Sequence, residues 1–454
     1  MKYETKKRKP SWVSYLIFVM FKIQPRETFL LLLNLLAIIC GIVSLYLGWK
    51  YSLVELSGIS LIAILFLLPV VASVLFSIVA EVVSICRKHI KDRETSIEYK
   101  DTLPIIDEPL TNVNPHQSDA NAGLAPLRIK IDGTEELVFR SEKLDEYLWD
   151  NDISIIEDTQ ALNNILRIIR SNASNLLDML HSQFLTSKRG KKQFHNESKL
   201  CLASDLRADI KSVKCYKAGY YVSFLTNEIA TRILVRNDEY KTVQFDGREY
   251  FPIILYGKTS KPYLLPISQS QMCNHIGVGT IGFSGDRYLV VWQQSESAQQ
   301  SENLTVATGS GSSNWSDLSP SRSFRETLIN GMERELHEES TRNKAKVTEN
   351  LVEETMILGF FRWVRRGGKP EFVGISRLHV NADDLEPNIA EVTSPKRKVS
   401  KYYVKSIGDL ENVINSIQNE KQLSVPLAVN LECLRHHLRK REHSLNQFLC
   451  LGNT

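Results

Sequence analysis

Neither sign of charge dominates this sequence: 56 Lys+Arg stand against 52 Asp+Glu in 454 residues, a net charge of +4. So weak a balance excludes a surface built throughout to hold nucleic acid, and no DNA or RNA partner is expected. Cysteine is also sparse. The seven residues Cys40, Cys86, Cys201, Cys215, Cys273, Cys433 and Cys450 never form a CxxC pair. That excludes a zinc ribbon and a thioredoxin-type centre and leaves buried apolar thiols as the reading. The composition, 43% apolar, excludes full disorder and fibrous repeats. At one domain per ~150 residues the length suggests about three structural units.

Long uncharged runs are present, and they sit early. Residues 28–49 (TFLLLLNLLAIICGIVSLYLGW) and 56–80 (LSGISLIAILFLLPVVASVLFSIVA) carry no charge. Each meets the roughly 20 residues a spanning helix needs. The short link between them implies an antiparallel transmembrane hairpin. Lys2, Lys6, Lys7, Arg8, Lys9, Lys22 and Arg26 precede it, and Arg87, Lys88, Lys91 and Arg93 follow. The positive-inside rule then puts both ends in the cytoplasm, as a multi-pass protein of the inner membrane with the lipid bilayer as a partner. Residues 1–27 form a basic N-terminus, in which Trp12 to Phe21 is too short to span and reads as interfacial. Ala37/Gly41, Ser44/Gly48 and Ser73/Ser77 are small-xxx-small pairs that let helices approach closely, and a homo-oligomer is expected.

Residues 81–126 are read as a flexible linker, polar and interrupted by Pro104, Pro109, Pro115 and Pro126. Residues 127–195 form a helical connector: a short two-stranded element and helix to 150, then one long helix over Thr159 to Phe184, or two joined near Ser171. Strand-like runs begin near residue 200, at Tyr220 to Phe224, Gln244 to Tyr256 and Tyr288 to Trp292. They alternate with helical patterns, which implies an α+β or α/β domain over 200–450.

Some motifs fail on context. Gly277 to Gly282 (GVGTIG) matches GxGxxG, but a strand-like run follows where a dinucleotide fold needs a helix. Tight packing or a bulge in a strand explains these glycines better. His436 and His437 lie in a basic C-terminal helix with no acid or cysteine arranged beside them in sequence, so no metal site is expected there.

One pattern holds. Residues 326–341 read ETLINGMERELHEEST. At 100° per residue Leu328, Met332 and Leu336 share a core-facing stripe, and Glu335, Glu338 and Glu339 fall within about 100° of arc beside it. Three carboxylates so close need a counter-charge, and Mg²⁺ or Mn²⁺ is the natural one. Arg334 lies at i,i+4 to Glu338 and can orient it. Five specified residues at this spacing arise by chance on the order of 10⁻⁴ times in such a chain. Downstream, Arg362, Arg365 and Arg366 precede Gly367-Gly368-Lys369-Pro370-Glu371-Phe372. They could clamp phosphates together with Lys369, and Phe372 could stack on a base.

This helix resembles the Nudix box, GX5EX7REUXEEXGU. The resemblance implies an α/β/α sandwich in which Glu335, Glu338 and Glu339 hold a divalent metal. Arg334 then positions the first glutamate, and Glu335 and Arg334 are the catalytic residues if the site is active. The box departs from the pattern at Pro320 and Thr341, where glycines belong, and at Arg342, where an aliphatic residue belongs. Gly309 and Gly311 are expected to supply a turn instead. The order of apolar hairpin, linker and Nudix-like domain, with the runs YYVSFLTNE and GKPEF, resembles a particular class of CBASS anti-phage effectors. These carry two transmembrane helices and a SMODS-associated Nudix domain. The resemblance implies a membrane effector. Its Nudix-like domain senses a cyclic oligonucleotide made by a CD-NTase-type nucleotidyltransferase, and its hairpins then oligomerise, disrupt the membrane and kill the infected cell. The alternative it leaves open is a membrane-anchored, metal-dependent Nudix hydrolase of nucleoside diphosphate derivatives.

Overall fold

The computed structural model describes residues 11–25, 95–99, 124–131, 134–189, 194–236, 242–256, 262–294, 304–340, 351–388, 399–420 and 422–451. Within them the chain is an α/β protein. Its central sheet has nine strands, numbered here in chain order: β1 Ala125–Ile131, β2 Thr134–Arg140, β3 Gly277–Phe283, β4 Tyr288–Gln293, β5 Thr305–Val306, β6 Gly309–Ser312, β7 Val352–Trp363, β8 Lys369–Leu378 and β9 Ser400–Tyr403. The order across the sheet is β5-β4-β3-β8-β7-β2-β1, with β6 also paired to β3 and β9 to β4. Only β3 and β8 run parallel, with Gly277 opposite Glu371 and Phe283 opposite Arg377. The hairpin β1–β2 lies in the stretch read as linker and connector, yet it extends this sheet by pairing with Phe361–Trp363 of β7.

The sheet is apolar on both faces, so each strand must be covered twice. Phe360 and Phe372 face the core that holds Phe324, Leu328 and Met332 of the acidic helix Phe324–Ser340. Their neighbours Phe361 and Val373 face the opposite core, filled by Leu427, Leu431 and Leu434 of the C-terminal helix Val425–Leu449. The period-2 alternation of β strands thus sends successive residues into two cores. Bare backbone lets both helices close on the sheet. Gly374 sits where a side chain would meet Met332 Sδ, and Gly359 where one would meet Cys433 Sγ and Asp145. The box stripe is buried as its spacing requires, with Leu328, Met332 and Leu336 at 0% exposure.

A second, three-stranded sheet (Ser154–Glu157, Ser198–Leu202, Ser212–Gly219) packs against the helix Ala161–Ser171, and the next helix, Ala173–Arg189, lies against the strand Thr95–Tyr99 of a further sheet. Of the two readings, one long helix or two joined near Ser171, the second holds, with the break at Asn172. The N-terminal helix Trp12–Phe18 docks on these helices. Trp12 and Tyr15 meet the Phe184 ring at 4.6 and 4.8 Å, and Tyr15 Oη reaches His181 Nδ1 at 3.1 Å. Its aromatics are therefore spent partly on protein packing, although Val13, Ile17 and Phe21 stay exposed.

Three expectations need correcting. The fold class with a transmembrane hairpin and the multi-pass inner-membrane placement both required spanning helices. Among the described residues no helix is long and apolar enough to cross a membrane. The apolar runs 28–49 and 56–80 themselves lie outside the described residues, as does most of the linker. The third correction concerns Tyr220 to Phe224, read as strand. It begins a helical segment running from Tyr220 to Thr231. Its residues Tyr221 to Ala230 are all buried, so no alternation of exposure distinguishes helix from strand in this run. The glycine motif at 277–282, by contrast, is strand β3, turns at Ser284 to Arg287 and returns as β4, which closes the dinucleotide reading.

Candidate functional site

The acidic helix is set by its N-terminus. Ser323 Oγ accepts from Glu326 N at 3.0 Å, and Asp152 Oδ1 accepts from Ser323 Oγ at 2.9 Å and from Arg325 N at 3.2 Å. A carboxylate at this end also favours the helix dipole. No glycine shapes the approach. Arg322 takes the left-handed conformation instead (φ 61°), two residues after Pro320. Thr341 and Arg342, at the other departure from the box, lie outside the described residues.

Arg334 is the centre of the site. It is 5% exposed and makes five hydrogen bonds. Nε and Nη2 reach the two oxygens of Asp317 at 2.9 and 3.1 Å, and Nη1 reaches Glu335 Oε1 at 2.9 Å and Glu338 Oε2 at 3.4 Å. Nη2 also donates to Ser312 O at 2.9 Å. Burial opposes the guanidinium charge, but Glu335, Asp317 and Glu338 outweigh it and raise the Arg334 pKa above its ordinary value. Glu335 is raised from the usual carboxylate range by burial, against the pull of Arg334 and Lys199. Asp317 was not foreseen. It lies 17 residues from Arg334, beyond the reach of helical spacing, although its place at the end of a short turn was a signal.

The carboxylates look onto β6 rather than outward. Glu335 Oε1 accepts from Ser312 N at 3.2 Å, and Glu339 accepts from Ser310 N at 3.0 Å and from Ser310 Oγ at 3.4 Å. Gly309 and Gly311 make this possible, by a different route from the expected turn. They lie in strand β6, where a Cβ on Gly309 would sit 2.5 Å from Leu336 Cα and one on Gly311 would strike the Glu335 carboxylate. Bare strand, rather than a loop, carries the helix.

Mg²⁺ or Mn²⁺ was expected on Glu335, Glu338 and Glu339. The residues as placed do not fit it. Both Glu339 oxygens and one Glu335 oxygen are hydrogen bonded to protein, and among the described residues no three His, Cys, Asp or Glu side chains converge as metal ligands. A divalent ion needs several free oxygens at about 2.0–2.6 Å. The structure keeps the three glutamates on one helix, with Glu335 and Glu338 both on Arg334 Nη1 and Glu339 on Ser310.

The basic hairpin β7–β8 is likewise turned inward. Arg362 is 1% exposed and donates to Leu265 O at 2.7 Å and Gly368 O at 3.0 Å. Burial lowers its pKa to about 10, with only Asp205 opposing. Arg365 pairs with Glu136 at 2.5 Å and Arg366 with Glu228 at 2.7 Å. Lys369, 1% exposed, pairs with Glu371, and burial lowers its pKa to about 8 despite that carboxylate. Phe372 is fully buried between Phe360 (5.0 Å) and Phe324 (5.3 Å), so its ring is part of the core and offers no face to a base. Of the five expected phosphate or nucleotide contacts, only Arg365 keeps substantial exposure, at 37% of its side chain. Gly367 and Gly368 make the turn that holds these cations in register, both with positive φ (66° and 67°).

His436 proves to have acids nearby after all. Glu142 and Glu146, from the helix 142–150, lie 3.5 and 3.1 Å from its ring nitrogens. Sequence gave no hint, since nearly 300 residues separate them.

No family model matches this chain, and no curated protein does either. Among solved structures, it is similar to Tm1382, provisionally named a Nudix hydrolase, at 14% identity and a TM-score of 0.20. That likeness covers 31% of this chain and 63% of Tm1382, so the chain spans under two thirds of that protein. It is also similar to RenU, a Nudix hydrolase from M. smegmatis, at 10% identity over 41% of this chain and 95% of RenU, with a TM-score of 0.23. Both neighbours are Nudix hydrolases, but scores this low carry no argument. The reading below rests on the residues.

Proposed function

We propose that the α/β body is a Nudix-like binding module that senses a cyclic oligonucleotide, the role implied by the resemblance to CBASS anti-phage proteins. The messenger comes from a CD-NTase-type nucleotidyltransferase. One observation carries this reading over the hydrolase alternative. Arg334 ties Asp317, Glu335, Glu338 and Ser312 into one lock, and one Glu335 oxygen and both Glu339 oxygens accept from β6. A box built so serves as a rigid wall. Rigid walls suit recognition, because little ordering entropy is lost on binding. The ligand acts by binding one state of the protein better than another.

The test mixes the full chain with a panel of cyclic di- and trinucleotides. Melting temperature and ligand integrity are followed in the same tubes, the latter by chromatography. A melting shift with one cyclic nucleotide that stays intact supports a sensor. Consumption of a nucleotide that stops in Glu335→Gln would instead establish a hydrolase. No shift with any member of the panel would refute the sensing role.

A further inference from the structure

A buried polar seam runs behind the acidic helix, and one atom in it has no partner. His275 is 0% exposed. Its Nδ1 is hydrogen bonded to Ser223 Oγ, yet its Nε2 meets no hydrogen-bonding group among the described residues. Leaving such an atom buried is costly, and folded proteins keep few of them without a reason.

The identity of the missing partner follows from the tautomer. Ser223 Oγ has no other acceptor among the described residues, so its hydroxyl donates to Nδ1. The ring proton then sits on Nε2, and the orphan is a donor. Burial first, and then the charges of Lys369, Arg366 and Lys199, hold the imidazole pKa well below its usual value. A neutral N–H donor in a positive field is suited to an anionic oxygen.

The cations around it are paired in a way that can be shared. Lys199 Nζ reaches Glu197 Oε2 and Asn314 Oδ1, both at 2.8 Å, and Lys369 pairs with Glu371 over the bare backbone of Gly277. Glu197, which pairs with Lys199, is 22% exposed, whereas His275 is 0% exposed. Asn314 links Lys199 to the locked helix, since its backbone N donates to Asp317 Oδ2 at 2.7 Å.

We infer that this seam is an anion site. The Ser223–His275 pair is its inner wall, and a phosphoryl oxygen of the ligand is received by His275 Nε2–H beside the ammonium groups of Lys199 and Lys369. The inference rests on the proposed sensing role for its choice of phosphate and adds the residues that read it. Ser223 is a positioning residue, since it sets the tautomer and does not touch the ligand.

Pyrophosphate is the probe. The full chain is titrated calorimetrically with sodium pyrophosphate in EDTA, so that no divalent ion bridges, and then with the cyclic nucleotides. In His275→Leu, which removes the donor, affinity should fall by about tenfold or more. In His275→Gln, whose amide keeps a donor at similar reach, most of it should return. A second measurement stands apart from whether the variants fold. Ring-nitrogen NMR of the wild-type chain should find one neutral histidine protonated at Nε2 whose signal moves on adding pyrophosphate. Equal affinity in His275→Leu, a static ring signal, or no pyrophosphate binding at all would overturn the inference. The two proposals fail separately. Cyclic nucleotide binding that ignores His275→Leu removes this site and leaves the sensing role. Pyrophosphate binding through His275 with no cyclic nucleotide bound does the reverse.

Discussion

The acidic helix and the basic hairpin look like mirror images in sequence, one a row of carboxylates and the other a row of cations. In the fold they share a fate. Arg334 gathers the acids, and Glu136, Glu228 and Glu371 gather the cations. They differ in where the partner comes from. The helix satisfies itself within 29 residues, through Asp317 and β6. Two arginines of the hairpin are satisfied from afar, Arg366 by Glu228 and Arg365 by Glu136, 138 and 229 residues away. Dense like charge in a sequence marks a need for counter-charge. Whether a ligand or the protein meets that need is decided by the packing.

Removing the hub of the helix should cost most. Arg334→Ala strands the Asp317 and Glu335 carboxylates, and urea unfolding should lose about 3–5 kcal/mol. A loss under 1 kcal/mol would mean that the acids reach solvent, and that the helix is no lock.

Next is the hairpin's distant partner. Burial would push the Glu228 carboxyl up, but Arg366 and then Arg232 outweigh it and bring its pKa to about 2, below the ordinary 4.5. A folded-state pKa depressed in this way stabilises the fold above about pH 4.5, and the contribution is lost as pH falls toward 2. It is worth about 3 kcal/mol. Glu228→Gln should lower neutral-pH stability by about that much and flatten the acid limb between pH 4.5 and 2. An unchanged acid limb would show that the hairpin does not depend on remote charge.

Gly309→Ala is a smaller test, aimed at backbone fit. Its Cβ would meet the Leu336 backbone, and overpacking of this kind costs about 1–3 kcal/mol in chemical denaturation. Gly311→Ala should cost less, because it displaces only the end of the Glu335 side chain. The reverse ranking would contradict the close contact between strand and helix.

The smallest effect is expected from Arg365→Ala. This side chain is more than one-third exposed, and solvent screening should hold the loss to about 0.5 kcal/mol or less. A larger loss would make Arg365 a member of the buried network.

What was legible in sequence was local and periodic. The buried stripe Leu328–Met332–Leu336 and the Arg334–Glu338 pair follow from 3.6-residue geometry. The strand reading of GVGTIG also held, since its context argued against a helix. What failed was non-local. Phe372 looked like a stacking platform because nothing in GKPEF reveals that Phe324 and Phe360 enclose it. Tyr220 to Phe224 looked like strand because apolar residues on every face leave no period to read. Glu228 and His275 had no sequence signal of their own.

In the proposed sensing role the helix carboxylates form a wall for a bound nucleotide rather than a cage for a metal. The most direct measurement titrates the cyclic nucleotide found in the panel against the full chain, with and without Mg²⁺, in the wild type and in Glu335→Gln. The account expects one affinity in wild type whether or not Mg²⁺ is present, an intact ligand afterwards, and only a modest loss in Glu335→Gln. Binding or turnover that appears with Mg²⁺ and disappears in Glu335→Gln would contradict it.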